Sequence, residues 1–517
     1  MGRYSGETYK ILCSVKGINN NLNINAVEPD ALIWPSKNID LTKGGWGRRL
    51  GTAKINSTVI TDAPRIMGIY DFLKIGGTQH IVFATSDGKI YRTPTITIKT
   101  GLGTSKYANF SMFNNVMFYC NGYNIPQTWD GSAASTSDLT TIPTDWTGTN
   151  YPSVMIRHGR GNSERMWAFG CPSTPYTIYV TPNGDGTDFS DANVVTFSID
   201  TGDNAGIVGG VVYKDQLILF GKRNTFIMDD ADTNTDNWGY SAFTREGGVA
   251  HQRLIIPTQN DIICMMEDGT IYSLAAAEQY GDYKAASITK AKFMDRWVQD
   301  NVRLSYIEHF HGIYDPVKKK VKIFVVRTGQ TAVDTAMVYY VETGEWMIED
   351  NVTYNSGYSA SASELVKVSP GVYEVYTGDY SGFIWHLEQT AKNDASNGYE
   401  SKALTPYLFF ENARESKLFS RCWIDLEPDT TYNLNVRFYV DEIYARTVSM
   451  SGDVGALGSF VLGVNVIGTE QLTTVSFPLG VIGEKIQFEF TQSTADEDFF
   501  MSQLMIDFKP LGKRANR

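Results

Sequence analysis

The sequence predicts an all-β protein: a β-propeller of about six or seven blades, followed by a C-terminal β-sandwich and preceded by an irregular N-terminal segment. Three observations carry this expectation. Tyr (29) and Phe (26) are plentiful while only 20% of residues are charged, the composition of strands on a pleated, half-buried surface. Apolar strands joined in pairs by Gly, Asn or Asp turns recur at roughly 40–60-residue spacing, the period of propeller blades. In TAKNDASNGYES apolar content falls away, and strands resume beyond it without the earlier hairpin repeat.

Residues 1–59 read as the irregular segment. SVKGINNNLNINAVEPDALIWPSKNIDLTKGGWGRRLGTAKI is rich in Asn and Gly, Pro29 and Pro35 break any helix, and it ends in Trp46, Arg48, Arg49 and Gly51. The propeller is expected over 60–389. SDGKIYRT (86–93) and EDGTIYSL (267–274) repeat one device, each after an apolar run, HIVFAT and DIICMM. Asp-Gly supplies residues that tolerate positive φ in a two-residue hairpin turn, and Ile-Tyr opens the return strand. The same strand–turn–strand unit recurs in MFNNVMFYCNGYNIPQTWDG, VVYKDQLILFGKRNTFIMDD and VKIFVVRTGQTAVDTAMVYYVETGEWMIED. A sialidase-type reading of Asp-Gly fails, because the spacing and the Trp of that signature are absent and no carboxylate pair can be placed across a glycosidic bond.

One short amphipathic helix is expected at 287–301, with Ser287 as N-cap and Ala291, Met294, Trp297 and Val298 on one face, covering an exposed sheet edge. Residues 390–401 read as a linker open to proteolysis. Residues 402–517 read as the sandwich, with strands in TPYLFF, KLFSRCWIDLE, YNLNVRFYVD, GSFVLGVNVIG, TTVSFPLG, EKIQFEFTQ and QLMIDFKP. The tail residues Lys509, Lys513, Arg514 and Arg517 are taken as a solvated charge cluster beyond the last strand.

The function classes narrow next. A net charge of −12 disfavours ordinary nucleic-acid binding, whose affinity comes from Lys and Arg displacing counterions. No apolar run is long enough to span a membrane, and the opening MGRYSGETYKILCSV lacks a signal-peptide pattern, so cytosolic folding is expected. Cys13, Cys120, Cys171, Cys264 and Cys422 are scattered and read as core residues. His309 and His311 could share a strand face, but no third ligand accompanies them. DADTNTDNW places Asp230, Asp232, Asn234 and Asp236 at the alternation that calcium ligands adopt; Thr235 stands where the loop wants Gly and no bidentate Glu follows, so a solvated loop tip is preferred over a calcium site. No nucleophile with a base and no closed metal site is visible, so neither catalysis nor a cofactor is expected.

The order of features adds a resemblance. GIN, then WPSKNIDLTKGGWGRRLG, then propeller-like hairpins, then a helix before HFHGIYDPVKKKVKIFVV and AMVYYVETGEWMIED, then LTPYLFFENARESKLF opening a terminal β domain, resembles the tail nozzle or tail hub proteins of short-tailed bacteriophages, also called packaged-DNA stabilisation proteins. The resemblance implies a structural virion protein assembled in the bacterial host cytoplasm. Six copies would form a tube below the portal and adaptor rings, in contact with tail fibre or other tail proteins. The tube would close the DNA exit and then conduct DNA without binding it specifically. Joined to the charge, it implies an acidic or neutral lumen along which phosphates slide, gated sterically. Asp185, Asp188, Asp191 and Asp229, in the turns 185–191 and 229–236, are the gate or lumen candidates. Two alternatives remain at this stage: a carbohydrate-binding or carbohydrate-cleaving propeller using Trp129, Trp238 and Trp346 as stacking platforms, and a peptide-binding scaffold.

Overall fold

A computed structural model of the 517-residue chain describes all residues except 1–5, 22, 24, 25, 161, 162, 245, 281–285, 351–358, 411, 412, 428–431, 453–472 and 513–517. The apolar strands form seven antiparallel sheets, at 66–99, 109–138, 154–198, 209–244, 255–273, 311–350 and 362–389. Their first strands, Ile66–Leu73, Asn109–Phe113, Val154–His158, Gly209–Tyr213, Ile255–Pro257, His311–Asp315 and Ala362–Ser369, touch one another in turn around a closed ring. This is a seven-bladed propeller, at the upper bound of the expected blade number. Aromatic and aliphatic side chains fill the spaces between blades, such as Trp167, Phe169 and Leu219 between the third and fourth. A ring of meanders satisfies almost every strand edge, which is why radial repetition is stable.

The ring closes with a strand from far away in sequence. The last blade has three strands of its own, and its fourth is Gly51–Lys54, paired antiparallel with Ile384–Gln389. The N-terminal segment is irregular over 13–38, as expected, but it also contributes four short strands. Glu7–Leu12 and Trp46–Arg48 both pair with Phe500–Gly512, and Ile39–Asp40 pairs with Trp46–Arg48. They join Ser416–Leu426 and Thr473–Gly483 in one sheet of the sandwich; Ser401–Leu404, Ile486–Gln492, Tyr432–Val440 and Ile443–Gly452 form the other. Alternate residues of both sheets point inward, Cys422, Ile424, Leu504 and Ile506 against Leu434, Val436, Phe438 and Phe488.

Other local expectations need correction. Both Asp-Gly devices are three-residue loops rather than two-residue turns. Gly88 N–H donates to Thr85 O (3.1 Å) and Thr85 N–H to Lys89 O (3.0 Å), and Met266, Gly269 and Thr270 repeat the pattern. Gly88 (φ +75°) and Gly269 (φ +84°) occupy the left-handed position that ends such a loop. The α-helix runs only over Met294–Asn301; Phe293 (φ 55°) breaks it from a 3₁₀ turn, so Ser287 is no N-cap, and Ala291 is exposed. Met294, Trp297 and Val298 are buried as expected. TPYLFF forms no strand, Lys509 lies within Phe500–Gly512, and GSFVLGVNVIG, Lys513, Arg514 and Arg517 fall outside the described residues.

The segment 390–401 is not a loose linker. Asp394 and Tyr399 are buried, and Thr52 and Ala395 are tied by a backbone hydrogen bond of 2.8 Å. Around them the propeller and sandwich share one hydrophobic core and a buried charge network. Arg49 holds Asp394 through Nη1 (3.0 Å) and Nη2 (2.5 Å) while its guanidinium lies 3.7 Å from the Tyr399 ring centroid. Lys320 reaches Asp40 (3.1 Å) and Glu388 (3.4 Å), and Lys322 reaches Glu349 (2.7 Å) and Glu388 (2.5 Å). Burial alone would raise the Glu388 carboxyl, but the Lys320 and Lys322 ammonium groups outweigh it and hold it far below the usual range. The two units are bolted together, and WPSKNIDLTKGGWGRRLG is the bolt.

Candidate functional site

Antiparallel meanders put successive connections at alternate ends of a blade. Connections from one blade to the next, and from second to third strand, lie on one face of the ring, called upper here. Those from first to second and third to fourth strand lie on the lower face. The proposed gate and metal residues all come from third-to-fourth connections, in the third and fourth blades, and so sit at the lower outer rim rather than on the propeller axis.

Most of these carboxylates already have partners in the chain. Asp185 accepts from Thr187 N–H (2.8 Å) and Oγ1 (2.7 Å), Asp188 from Ser190 N–H (3.0 Å) and Asn193 Nδ2 (2.7 Å), and Asp191 from Thr144 N–H (3.2 Å). Asp229 ends the third strand of its blade, exposed. The four residues weighed as calcium ligands each have other partners or surroundings. Asp230 is buried and faces His158 Nε2 (2.9 Å) and Arg160 Nε (3.5 Å), bridging two blades. Asp232 caps Asn234 N–H (2.8 Å) and Asn237 Nδ2 (2.7 Å), and Asn234 accepts from Asp236 N–H (3.1 Å). Asp230 thus turns away from Asp232, Asn234 and Asp236. Among the described residues no three His, Cys, Asp or Glu groups gather as metal ligands.

The sugar-platform residues are equally occupied. Trp129 and Trp346 are buried, and Trp238 stacks on Trp167 (5.5 Å, 11°) while its Nε1–H donates to Asp232 O (2.7 Å). All five cysteines are buried and free. His309 and His311 are not a metal pair: His309 Nδ1 meets Tyr107 Oη (2.8 Å), whereas His311 Nε2 meets Ser363 Oγ (3.0 Å).

Two features escaped the sequence. The first is an apolar end of the sandwich. Ile443 (73% exposed), Tyr444 (55%), Ile482 (55%) and Leu511 (48%) project there. The hairpin Val440–Ile443 of one sheet lies beside Gly483 of the other, whose added Cβ would come within 2.2 Å of Val440 Cγ1, and Lys417 is paired with both Gly483 and Pro510. Isolated exposed apolar residues are ordinary, whereas four at one end of a domain form an apolar patch.

The second is the axial cavity of the propeller, about 420 Å³, walled by first strands of five blades and containing Arg253, His311 and Glu364. Burial, reinforced by the nearby Asp71 carboxylate, raises Glu364 from 4.5 to about 8. Below about pH 4 folded and unfolded chains both carry this proton. Between there and pH 8 the unfolded chain releases it while the folded one keeps it, so stability falls with rising pH. Glu364→Gln is therefore expected to stabilise the protein by ~1–3 kcal/mol at pH 8, allowing for screening in a cavity open to water, and to change nothing at pH 4. Urea titrations at the two pH values check this; an equal effect at both would remove the ionisation account.

No family model matches the chain, and no curated protein matches it. Among solved structures, an exo-β-1,3-galactanase from Phanerochaete chrysosporium is similar at 10% identity, covering 89% of this chain and 100% of that one, with a TM-score of 0.26. YCF48 from Cyanidioschyzon merolae is 13% identical over 65% of this chain and 98% of its own, TM-score 0.37. The RRP9 WD40 repeats are 8% identical over 66% and 98%, TM-score 0.39. The chain has a β-propeller fold; likenesses this distant carry no argument about activity. Among the described residues no helix is long and apolar enough to cross a membrane.

Proposed function

We propose that the chain is a structural, non-catalytic subunit of the tail nozzle or hub of a short-tailed bacteriophage. Six copies form a tube that retains packaged DNA and conducts it during ejection, assembled in the host cytoplasm against a portal or adaptor ring and further tail proteins. The observation that carries this reading is the apolar end of the sandwich at Ile443, Tyr444, Ile482 and Leu511, on a propeller and sandwich locked into one unit. A ring subunit needs both: a rigid body to fix the angle between copies, and an apolar surface for a neighbour to cover. The net charge of −12 per copy supports a wall along which DNA slides rather than binds. The acidic turns at the lower outer rim, 185–191 and 229–236, can then meet DNA only where that rim faces the tube.

Negative-stain micrographs and native mass spectrometry of the purified chain, alone and with portal-containing particles, test this. Rings or sixfold occupancy at the portal vertex are expected for the natural sequence. The double variant Ile443→Asp/Ile482→Asp should lose them while keeping its melting temperature, since both side chains already face solvent. A natural chain that stays monomeric and never joins such particles would overturn the reading. So would tight binding of duplex DNA at physiological salt.

A further inference from the structure

The upper mouth of the propeller axis gathers positive charge that no carboxylate among the described residues pairs with. Arg65 precedes the first strand of blade one, Tyr107 that of blade two, Arg253 that of blade five and His309 that of blade six, so the topology alone brings them to one opening. The Arg253 guanidinium lies 3.3 Å from the Tyr107 ring centroid, and that of Arg65 5.3 Å from it and 5.2 Å from the Tyr380 ring. Arg253 donates to the backbone carbonyls Glu308 O and, at 3.5 Å, Ser361 O, and also engages Tyr107; Arg65 Nε meets Met67 Sδ at 3.1 Å.

Nearby carboxylates are committed elsewhere. Glu308 points to solvent, 76% exposed, with its oxygen 3.6 Å from His309 Nε2. Asp379 accepts from Ser381 N–H (2.7 Å), Phe383 N–H (2.9 Å) and Trp385 Nε1–H (2.9 Å). Among the described residues neither arginine has an ion-pair partner. A guanidinium withdrawn from water without a counter-charge is costly, and desolvation pulls Arg253 below its usual value. Burial pulls His251 to about 3 and His309 downward, so these histidines stay neutral and add no positive charge beside the arginines.

Below the mouth, the cavity changes character. Tyr70, Ile255, Ile256, Ile313 and Leu365 make its wall apolar. His311 also lines it: this side chain is 3% exposed and its Nε2 faces Ser363 Oγ at 3.0 Å. Pockets of this size, apolar with a few placed polar groups, are the usual form of a small-ligand site.

We propose that the axial cavity binds an organic carboxylate with an apolar body, such as the C-terminal end of a peptide whose last side chain is apolar. The carboxylate sits between Arg65 and Arg253, and the apolar body lies against Ile255, Ile256, Ile313 and Leu365. Calorimetric titration with N-acetyl-phenylalanine, N-acetyl-phenylalaninamide and inorganic phosphate tests it. The carboxylate should bind, and both the amide and phosphate should bind at least ~10-fold more weakly, the loss of one charge-assisted contact or of the apolar body. Arg253→Met and Arg65→Met should each weaken the carboxylate ~10- to 100-fold, and Ile443→Asp should leave it unchanged. Two arginine variants guard against one failing to fold. Phosphate binding as tightly as N-acetyl-phenylalanine, equal binding of acid and amide, or indifference to both arginine substitutions would each overturn the proposal.

Discussion

Asp394→Ala is expected to destabilise the folded chain by about 3–5 kcal/mol, because it strands the buried Arg49 guanidinium without its counter-charge. Asp394 accepts two hydrogen bonds from Arg49 and a third from Thr52 Oγ1 at 3.0 Å, with both charged side chains less than 5% exposed. Arg49 also reaches Asn38 Oδ1 (3.1 Å) and Leu50 O (2.8 Å), so the lost contact is the hub of the region joining propeller to sandwich. Removing both charges in Arg49→Met/Asp394→Leu should recover part of the loss, since apolar replacement of a buried pair is often tolerated. Chemical denaturation measures both. A cost under about 1 kcal/mol for Asp394→Ala would show that the pair is no more than a surface ion pair in energy. The same region predicts acid sensitivity. Asp40, despite burial, is held low by Lys320, and Glu388 by Lys320 and Lys322. Carboxyls lowered on folding contribute stability above their unfolded values near pH 4 and lose it as pH falls further.

Gly51→Ala is the second large effect, expected to cost ~3 kcal/mol by forcing the closing strand off the last blade. A Cβ at Gly51 would lie 2.0 Å from Asn393 O and 2.4 Å from Ala391 O. Neither carbonyl can move freely: Gly51 N–H donates to Ala391 O (2.8 Å) and Thr52 N–H to Asn393 O (2.9 Å). The clash therefore falls on the strand that seals the ring, and the expected readout is a lower denaturation midpoint with new proteolytic cleavage in 390–401. In the natural chain that segment should resist cleavage, contrary to its loop-like composition. Gly239→Ala, whose added Cβ meets nothing within 4 Å, is the matched control and should stay within about 0.5 kcal/mol. Equal stability of the two variants would argue against strand closure at Gly51.

Local order was legible in the chain: strands, hairpins, the repeat and hence the propeller, and the sandwich beyond it. These follow from side-chain periodicity and turn chemistry, which act over a few residues; Gly88 and Gly269 were legible because left-handed backbone selects glycine. The buried face of Met294, Trp297 and Val298 was legible for the same reason. Pairings across hundreds of residues were not. Nothing near Gly51–Lys54 says that its partner is Ile384–Gln389, nor that Glu7–Leu12 joins Phe500–Gly512. Lys320 and Lys322 alternate with apolar neighbours as a solvated face would, yet both are buried, because Glu388 and Glu349 arrive from other strands. Asp230 had the spacing of a calcium ligand and was claimed by His158 of the adjacent blade. The mouth residues Arg65, Tyr107, Arg253 and His309 carry no shared motif at all. Only closure of the ring brings the starts of four blades to one axis, and charge acts through space rather than along the chain.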